Sequence, residues 1–440
     1  MRFYGREEEL KQLQISREMS NTGSRFTVVT GRRRIGKTSL ILKSVEGTRY
    51  MYLFVSRVAQ NILCREFQSS IEEEGIELPG SYSNLGELLK ALMIYSRNET
   101  LTLIIDEFQD LEYVDKAIFQ DIQKVWDRYK GDSHLNLIVS GSAHSMMTRL
   151  FENEKEPLFG RPTSKIALGP LPVSIMMAVL KDHNKGCTSG DMLTFYMLTG
   201  GVPLYMEALM DNGAVTSKSM LEYAVSLGSV FIADGREALV SEFGKDYRIY
   251  FSIMQLLSSG KRRRSELEDV LGTTVGPYLE RLEEEYGFVR HIIPMFSEPN
   301  GRNTRWIVSD MYLRFFFRFI RPGASLIESG RYDLLLRTIL PDIPEYEGRA
   351  LEDLFRRRIS EEDSYTAVGS YWSRKGDVEI DIVVLDDVEM RARLIEVKRN
   401  PKKLDIGGLR SKGERLVHEL KDYSVSYEGL AVDDVMKESV

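Results

Sequence analysis

The chain has 440 residues, 42% of them hydrophobic and 28% charged, with a formal net charge of −7. That length predicts about two to four domains, the composition is that of a globular chain rather than a disordered or collagen-like one, and the acidic balance excludes a protein that is basic throughout. Two cysteines far apart, Cys64 and Cys187, exclude a disulfide framework and suit a reducing, cytoplasmic setting. The five histidines show no metal-ligand spacing, which predicts no zinc site. The first eight residues already carry Arg2, Arg6, Glu7 and Glu8, so no leader is expected. The long uncharged stretch Ile166 to Leu180 is interrupted by Pro170 and Pro172 and is too short to cross a membrane.

Phe26 to Thr30 reads as a buried strand, and Thr38 to Lys43 reads as the start of a helix. Between them run Gly31, Arg32, Arg33, Arg34, Ile35, Gly36, Lys37, Thr38 and Ser39, which fit the spacing G-x4-G-K-[ST] of a phosphate-binding loop. The physical requirement is a glycine-bearing turn whose N–H groups converge on phosphate oxygens, opening onto a helix N-terminus. Lys37 is assigned to the β- and γ-phosphates and Thr38 to Mg²⁺, so ATP or ADP with Mg²⁺ is the expected ligand.

Arg49 to Val55 is a candidate second strand. Leu101 to Glu107 is an apolar run ending in two acids. Asp106 is assigned to the Mg²⁺ shell and Glu107 to the attacking water. A helix is predicted over Asp115 to Tyr129, with Ile118, Ile122 and Trp126 on one face. Leu135 to Ser142 is another buried strand. Ser140 or Ser142 there either senses the γ-phosphate or simply closes the strand. Arg161, in Phe159-Gly160-Arg161, fits two roles: a finger on transition-state charge, in cis or from a neighbouring subunit, and a surface arginine paired with a carboxylate.

The alternation of strands and helices over residues 1–170 predicts an α/β fold with a parallel sheet. Residues 171–243 read as helical and contain Gly200-Gly201-Val202-Pro203, a sharp turn at a helix start. Residues 244–309 change rhythm. A helix over Tyr247 to Leu257 is followed by a second over Ser265 to Leu271, with Ser265 as its cap and Glu268 at capping-box spacing. A third runs from Val275 to Tyr286, and two strands follow around a Gly301-Arg302-Asn303 turn. Three helices and a β-wing predict a winged helix-turn-helix.

Between residues 245 and 321 thirteen Lys/Arg face ten Asp/Glu, and residues 261–264 form a basic run. The third helix, however, carries Glu280, Glu283, Glu284 and Glu285, which would repel phosphates. Two readings stand: DNA contact through Arg302, Arg305 and the basic loop, or a protein-contact module. Residues 310–345 form an aromatic connector.

Residues 346–440 hold a second constellation. Glu352 lies on a helix. Val378 to Leu385 alternates as a strand bearing Asp381, and Arg393 to Lys398 is a strand with Glu396 and Lys398 on one face. An Asp followed by Glu-x-Lys on the next strand is the pattern of PD-(D/E)xK nucleases. In that chemistry two acids hold Mg²⁺, the metal activates a water, and the lysine steadies it. Asp381 and Glu396 are the expected ligands, Lys398 the catalytic cation, and Glu352 a completing ligand.

Taken together, the segment from Phe3 to Leu10, the phosphate loop, Asp106-Glu107-Phe108-Gln109, Ser140-Gly141-Ser142, Phe159-Gly160-Arg161 and Gly200 to Pro203 resemble the archaeal-type, or DEXX-box, ATPases of the AAA+/STAND class. The resemblance spans essentially the whole chain, and the tail looks like the nuclease-related domain that follows this ATPase in many members. It implies that Arg6 borders the adenine and that Pro203 lies in a lid motif touching the nucleotide. It also implies a fold of P-loop core, helical lid, winged helix and restriction-endonuclease-like tail. The expected function is an ATP-driven switch gating nucleic-acid binding or cleavage, with a possible nucleotide-dependent homo-oligomer. A signalling switch with a non-cleaving tail and a helicase-loader or mobile-element ATPase are the rival readings.

Overall fold

The computed structural model describes residues 1–142, 144–243, 247–298, 303–362 and 364–437. It forms two compact units, Gly5–Gly169 and Met1–Tyr4 with Pro170–Val440.

In the first unit, α1 (Glu7–Met19) precedes β1 (Arg25–Gly31), α2 (Lys37–Ser44), β2 (Met51–Phe54), β3 (Leu101–Asp106), α3 (Ile118–Tyr129), β4 (Leu135–Gly141) and β5 (Ser164–Leu168). The strands form one sheet in the order β2-β3-β4-β1-β5, every neighbour parallel. The sequence reason is the run of Val, Ile and Leu in β1, β3 and β4, as expected of strands covered on both faces. Phe26, Val28, Leu103, Ile105, Leu137 and Val139 alternate into one core with the helices Gln60–Glu73 and Leu85–Tyr95 and with α3. Thr27 points the other way, its hydroxyl 2.8 Å from that of Ser16 on α1. Because β4 lies between β1 and β3, the ends of all three strands reach one edge of the sheet. In open parallel sheets that edge is where ligands bind. β5 has no counterpart among the predicted strands: only Ile166 and Leu168 of its five residues are buried.

In the second unit, α4 (Ser189–Thr199) and α5 (Pro203–Asp211) flank the Gly200-Gly201 turn. Then come α6 (Tyr247–Ser258), α7 (Arg264–Leu271), α8 (Gly276–Glu284) and the antiparallel pair β6 (Val289–Ile292) and β7 (Arg305–Val308). The predicted cap of α7 is corrected. The helix starts at Arg264, and Glu266 Oε2 accepts from the amides of Arg262 at 2.8 Å and Arg263 at 2.9 Å. Glu268, a half-turn too far along to reach back, takes Arg264 Nε at 2.8 Å and Val275 N at 3.1 Å instead. The basic run is therefore dispersed rather than a uniform patch: Arg264 is held by Glu268. Glu283 of α8 accepts from the His291 amide at 2.9 Å, and Glu285, just past its end, pairs with Arg281 at 3.1 Å. Arg302 lies outside the described residues.

The aromatic segment is a short helix, Met311–Phe315, that widens into a π-turn over Phe316–Ile320, with Phe315, Phe316, Phe317 and Phe319 buried. The long helix α9 (Ile343–Ser360) leads into β8 (Ala367–Trp372), β9 (Glu379–Asp386), β10 (Arg391–Lys398) and β11 (Ser424–Ala431). Their order is β11-β10-β9-β8, with β9 antiparallel to β8 and β10, and β10 parallel to β11. Among the described residues no helix is long and apolar enough to cross a membrane.

Candidate nucleotide site and C-terminal acid cluster

β1 delivers Gly31 to the phosphate loop beside Leu168 of β5. The φ of Gly31 is 150°, and a Cβ there would meet the Leu168 carbonyl oxygen at 2.8 Å and Ile35 Cγ2 at 3.0 Å. Only glycine lets the loop leave the strand so close to its neighbour. Ile35 is buried and anchors the loop from inside, while Arg33 and Ser39 are exposed around its mouth. Gly36 precedes the helix and Lys37 is its first residue. Lys37 Nζ donates to the carbonyls of Gly31 at 2.8 Å and Arg32 at 3.1 Å. Burial holds this ammonium below its ordinary range, against the opposing pull of Glu107 and Asp106. A buried cation resting on neutral carbonyls gains by moving to an anionic phosphate.

Asp106, at the end of β3, gathers donors from four directions. Thr38 Oγ1 reaches Oδ2 at 2.9 Å and Tyr52 OH reaches it at 2.7 Å. The Glu107 amide reaches Oδ1 at 2.9 Å, and the Ser140 hydroxyl also donates to Oδ1. Burial alone would raise this carboxyl; the donors from Ser140, Tyr52 and Thr38 hold it below the usual range, so it stays an anion. The hydroxyl of Thr38 and the carboxylate of Asp106 are hard oxygen donors already within hydrogen-bond distance, a pairing that fits Mg²⁺. Glu107 has a left-handed backbone, φ 52°. Its Oε2 accepts from Ser142 Oγ at 2.8 Å and Gln109 Nε2 at 2.5 Å.

The remaining residues assigned from the sequence have these partners. Ser140 and Ser142 both hold the acids, so in this structure they act through Asp106 and Glu107. Arg161 takes the surface-pair arrangement: it donates to the Phe159 carbonyl at 2.6 Å and to Asp127 Oδ2, on α3, at 3.1 Å. Arg6, left-handed at φ 72°, donates to Glu9 at 3.0 Å and to the Gly169 carbonyl. Gly169 follows the Leu168 that pairs with Gly31, so Arg6 is brought to the root of the phosphate loop. Tyr52 was missed, and Gln109, named only within the motif of the resemblance, had no role. A signal for Tyr52 existed in principle: it lies on the strand that pairs with β3, two residues before the partner of Asp106.

Pro203 opens α5 behind Gly201, whose φ is 84° and whose added Cβ would lie 2.4 Å from the Leu171 carbonyl oxygen. Arg357 of α9 clamps this turn, donating to Gly200 O at 2.7 Å and to Leu171 O at 2.6 Å.

In the tail, Asp381 stands one step past the Ile382–Ile395 pair and therefore opposite Glu396. Lys398 Nζ lies 3.2 Å from Asp381 Oδ2 and 3.5 Å from Glu396 Oε1. Burial would lower this ammonium, but Asp381 and Glu396 raise it above its ordinary value. Asp381 Oδ2 also accepts the Val397 amide at 2.8 Å, and Glu396 Oε2 accepts the Asp405 amide at 2.6 Å. The three residues of the predicted motif thus converge. Glu352 is not gathered with them: among the described residues there is no group of three or more His, Cys, Asp or Glu that could hold a metal ion. It stands beside Asp381 as an electrostatic neighbour, and burial and that carboxylate push it up to about 7 against Arg356 and Arg262. The remaining oxygen pair, Asp381 and Glu396, fits Mg²⁺, which commonly takes one or two carboxylates and completes its shell with waters and substrate phosphate.

Residues 3–209 match the model of a family described as an ATPase domain predominantly from Archaea. The chain carries an archaeal-type P-loop ATPase domain. Beyond this ATPase domain, residues 316–406 match a family described as archaeal and bacterial proteins of unknown function. The chain is similar to an uncharacterised protein of Methanocaldococcus jannaschii, 28% identical over 413 residues, which cover 90% of this chain and 87% of that one. Its fold resembles a Walker-type ATPase of Pyrococcus abyssi, with a TM-score of 0.54 and 18% identity over 72% of this chain and 96% of the other. It also resembles the ORC2 protein of Aeropyrum pernix solved in ADPNP and ADP complexes, with a TM-score of 0.50 and 16% identity over 76% and 95%. The ATPase domain thus contains the whole Lys37, Thr38, Asp106 and Glu107 constellation, and its match extends through Pro203.

Proposed function

We propose that the protein is a Mg²⁺-dependent, ATP-hydrolysing switch whose nucleotide state controls nucleic-acid binding or cleavage by its C-terminal domain. In the ATPase half, Lys37 binds the β- and γ-phosphates, Thr38 and Asp106 hold Mg²⁺, and Glu107 orients the attacking water, held in place by Ser142 and Gln109. The bound metal supplies charge neutralisation on the phosphates. In the tail, Lys398 steadies a hydroxide-bearing site bounded by Asp381 and Glu396, with residues 247–308 as a winged helix beside it.

The observation that carries the coupling is the single helix α9. Arg357 holds the Gly200–Leu171 turn, which the family resemblance links to the nucleotide, and just over one turn earlier Glu352 stands beside Asp381 of the tail. Arg356, next to Arg357, extends to the Asp381 carbonyl at 3.5 Å.

The test is strand scission of mixed DNA and RNA by the full chain with Mg²⁺ or Mn²⁺, with and without ATP. Scission that Asp381→Ala and Lys398→Ala abolish, and that Lys37→Ala makes independent of ATP, is the expected result. No scission under any condition sinks the nuclease half, and unchanged ATP turnover in Lys37→Ala sinks the other. A second reading, a STAND-type signalling switch with a non-cleaving tail, is favoured by Lys398, whose Nζ lies 3.2 Å from Asp381 and 3.5 Å from Glu396 and neutralises the two acids. Its signature is slow turnover with nucleotide-dependent oligomer size on a sizing column.

A further inference from the structure

The β6–β7 arm does more than close its own helical module. Met295, just past β6, donates its amide to the Ser370 carbonyl on β8 at 2.9 Å. Asn303 and Trp372 exchange two hydrogen bonds: Asn303 Nδ2 to the Trp372 carbonyl at 3.2 Å, and Trp372 Nε1 to Asn303 Oδ1 at 3.1 Å. Arg305, the first residue of β7, donates to Glu379 Oε1 at 2.6 Å, and its guanidinium lies 4.3 Å from the Trp372 ring centroid. Glu379 is paired with Trp372 across β8 and β9, and it lies two residues before Asp381. Residues two apart on a strand share a face, so the arm grips the face that carries the acid cluster.

Under this grip is a cavity of about 30 Å³ whose wall includes Arg262, Arg305, Arg356, Glu352, Glu379 and Asp381. That is room for about two waters and too little for a phosphodiester. From this side Asp381 is covered. The cover is also charged in a particular way. Arg262 and Glu352 share the wall of this cavity, and burial, with the like charge of Arg314, Arg349 and Arg305 outweighing the pull of Glu352, lowers the Arg262 guanidinium to about 10. Such a crowd of arginines gains from any further anion. The Arg305–Glu379 pair meets solvent from one side only, Glu379 being 53% exposed and Arg305 14%, so a competing anion reaches it past Glu379. A phosphodiester can accept a guanidinium fork with two oxygens.

We propose that the β6–β7 arm is a latch over the Asp381 cluster, and that a nucleic-acid backbone opens it by taking Arg305 and Arg262 away from Glu379 and Glu352. The latch deepens the proposed function and rests on it for the identity of the anion. In the closed form the arginines neutralise the acids; in the open form they hold the strand beside Asp381 and Lys398.

The test separates latch from scaffold because two substitutions break the same ion pair from opposite sides. Binding of short fluorescent single-stranded oligonucleotides to the full chain is followed by anisotropy over a salt series, in chelator so that no cleavage enters. Glu379→Gln frees Arg305 and is expected to tighten binding about threefold. Arg305→Gln removes a phosphate contact and is expected to weaken it about threefold, with the log–log salt slope shallower by about 0.7. A purely structural role for the pair would move both variants in the same direction. That outcome, or no oligonucleotide binding by Glu379→Gln, overturns the proposal. Thermal melts of both variants establish that they fold. Since the readout needs no divalent metal, a tail that never cuts nucleic acid leaves this result standing, and the two failures are told apart.

Discussion

Tyr52 and Asp106, on neighbouring parallel strands, share a hydrogen bond of 2.7 Å from phenol to carboxylate. Burial and the adjacent carboxylate push the phenol above its ordinary range, so Tyr52 remains a donor at any pH at which the protein works. The same oxygen takes Thr38, so the tyrosine fixes the carboxylate that the threonine addresses. Tyr52→Phe keeps the ring and removes the donor. We expect about 1–2 kcal/mol of lost stability and a fall in ATP turnover of about three- to tenfold, with nucleotide affinity close to wild type. Steady-state turnover with a parallel nucleotide titration checks this; unchanged turnover would mean that Thr38, Ser140 and the Glu107 amide hold Asp106 unaided.

Gly31 makes a stricter prediction. Its φ of 150° and the 2.8 Å approach of a would-be Cβ to the Leu168 oxygen leave no side chain room without separating β1 from β5. Gly31→Ala should lose at least about tenfold in ATP affinity and about 1–3 kcal/mol in stability. Calorimetric titration with ATP and a thermal melt measure both. Wild-type affinity in a folded variant would show that the loop does not need this departure angle.

Asp353 governs acid stability in the second unit. Burial alone would raise its carboxyl, but Arg314, Arg356 and Arg290, with a hydrogen bond from Tyr196, hold it at about 2. A depressed carboxylate stabilises the fold above the unfolded value of 3.8 and loses that contribution as pH falls through about 2. The amount is about 2 kcal/mol. Denaturation midpoints measured from pH 6 down to pH 2 should therefore fall more steeply for the wild type than for Asp353→Asn. The variant should be the less stable protein at pH 7, where three arginines lose their shared anion. Parallel curves would place the acid sensitivity elsewhere.

The sequence was most readable where chemistry forces short-range spacing. Gly31 to Thr38 and Asp106-Glu107 each lie on one strand-to-helix or strand-to-turn junction, so their geometry follows from neighbours in the chain. Asp381, Glu396 and Lys398 were readable because a two-residue period and one antiparallel turn put them together. What stayed hidden depends on strand order. Tyr52 reaches Asp106 only because β2 pairs with β3, and β5 carries too few apolar residues to signal a strand. Glu266 replaced Glu268 as the cap because the helix began one residue earlier than Ser265. Asp127, the partner of Arg161, is 34 residues away in sequence, on the solvent side of α3.

The bond from the Met295 amide to Ser370 has a consequence for how the protein is made and stored. β8 is an outer strand of its sheet, and it alternates through Val368, Ser370 and Trp372. An open strand edge of this kind is a template for another chain. Met295 occupies one of its carbonyls, and the Met295 sulfur fills the hollow above Gly369. Expressed without residues 247–308, the C-terminal sheet would show that edge bare, and copies of it would pair with one another edge to edge. The arm thus also covers part of this edge, and the tail is expected to aggregate less in the company of the segment that precedes it.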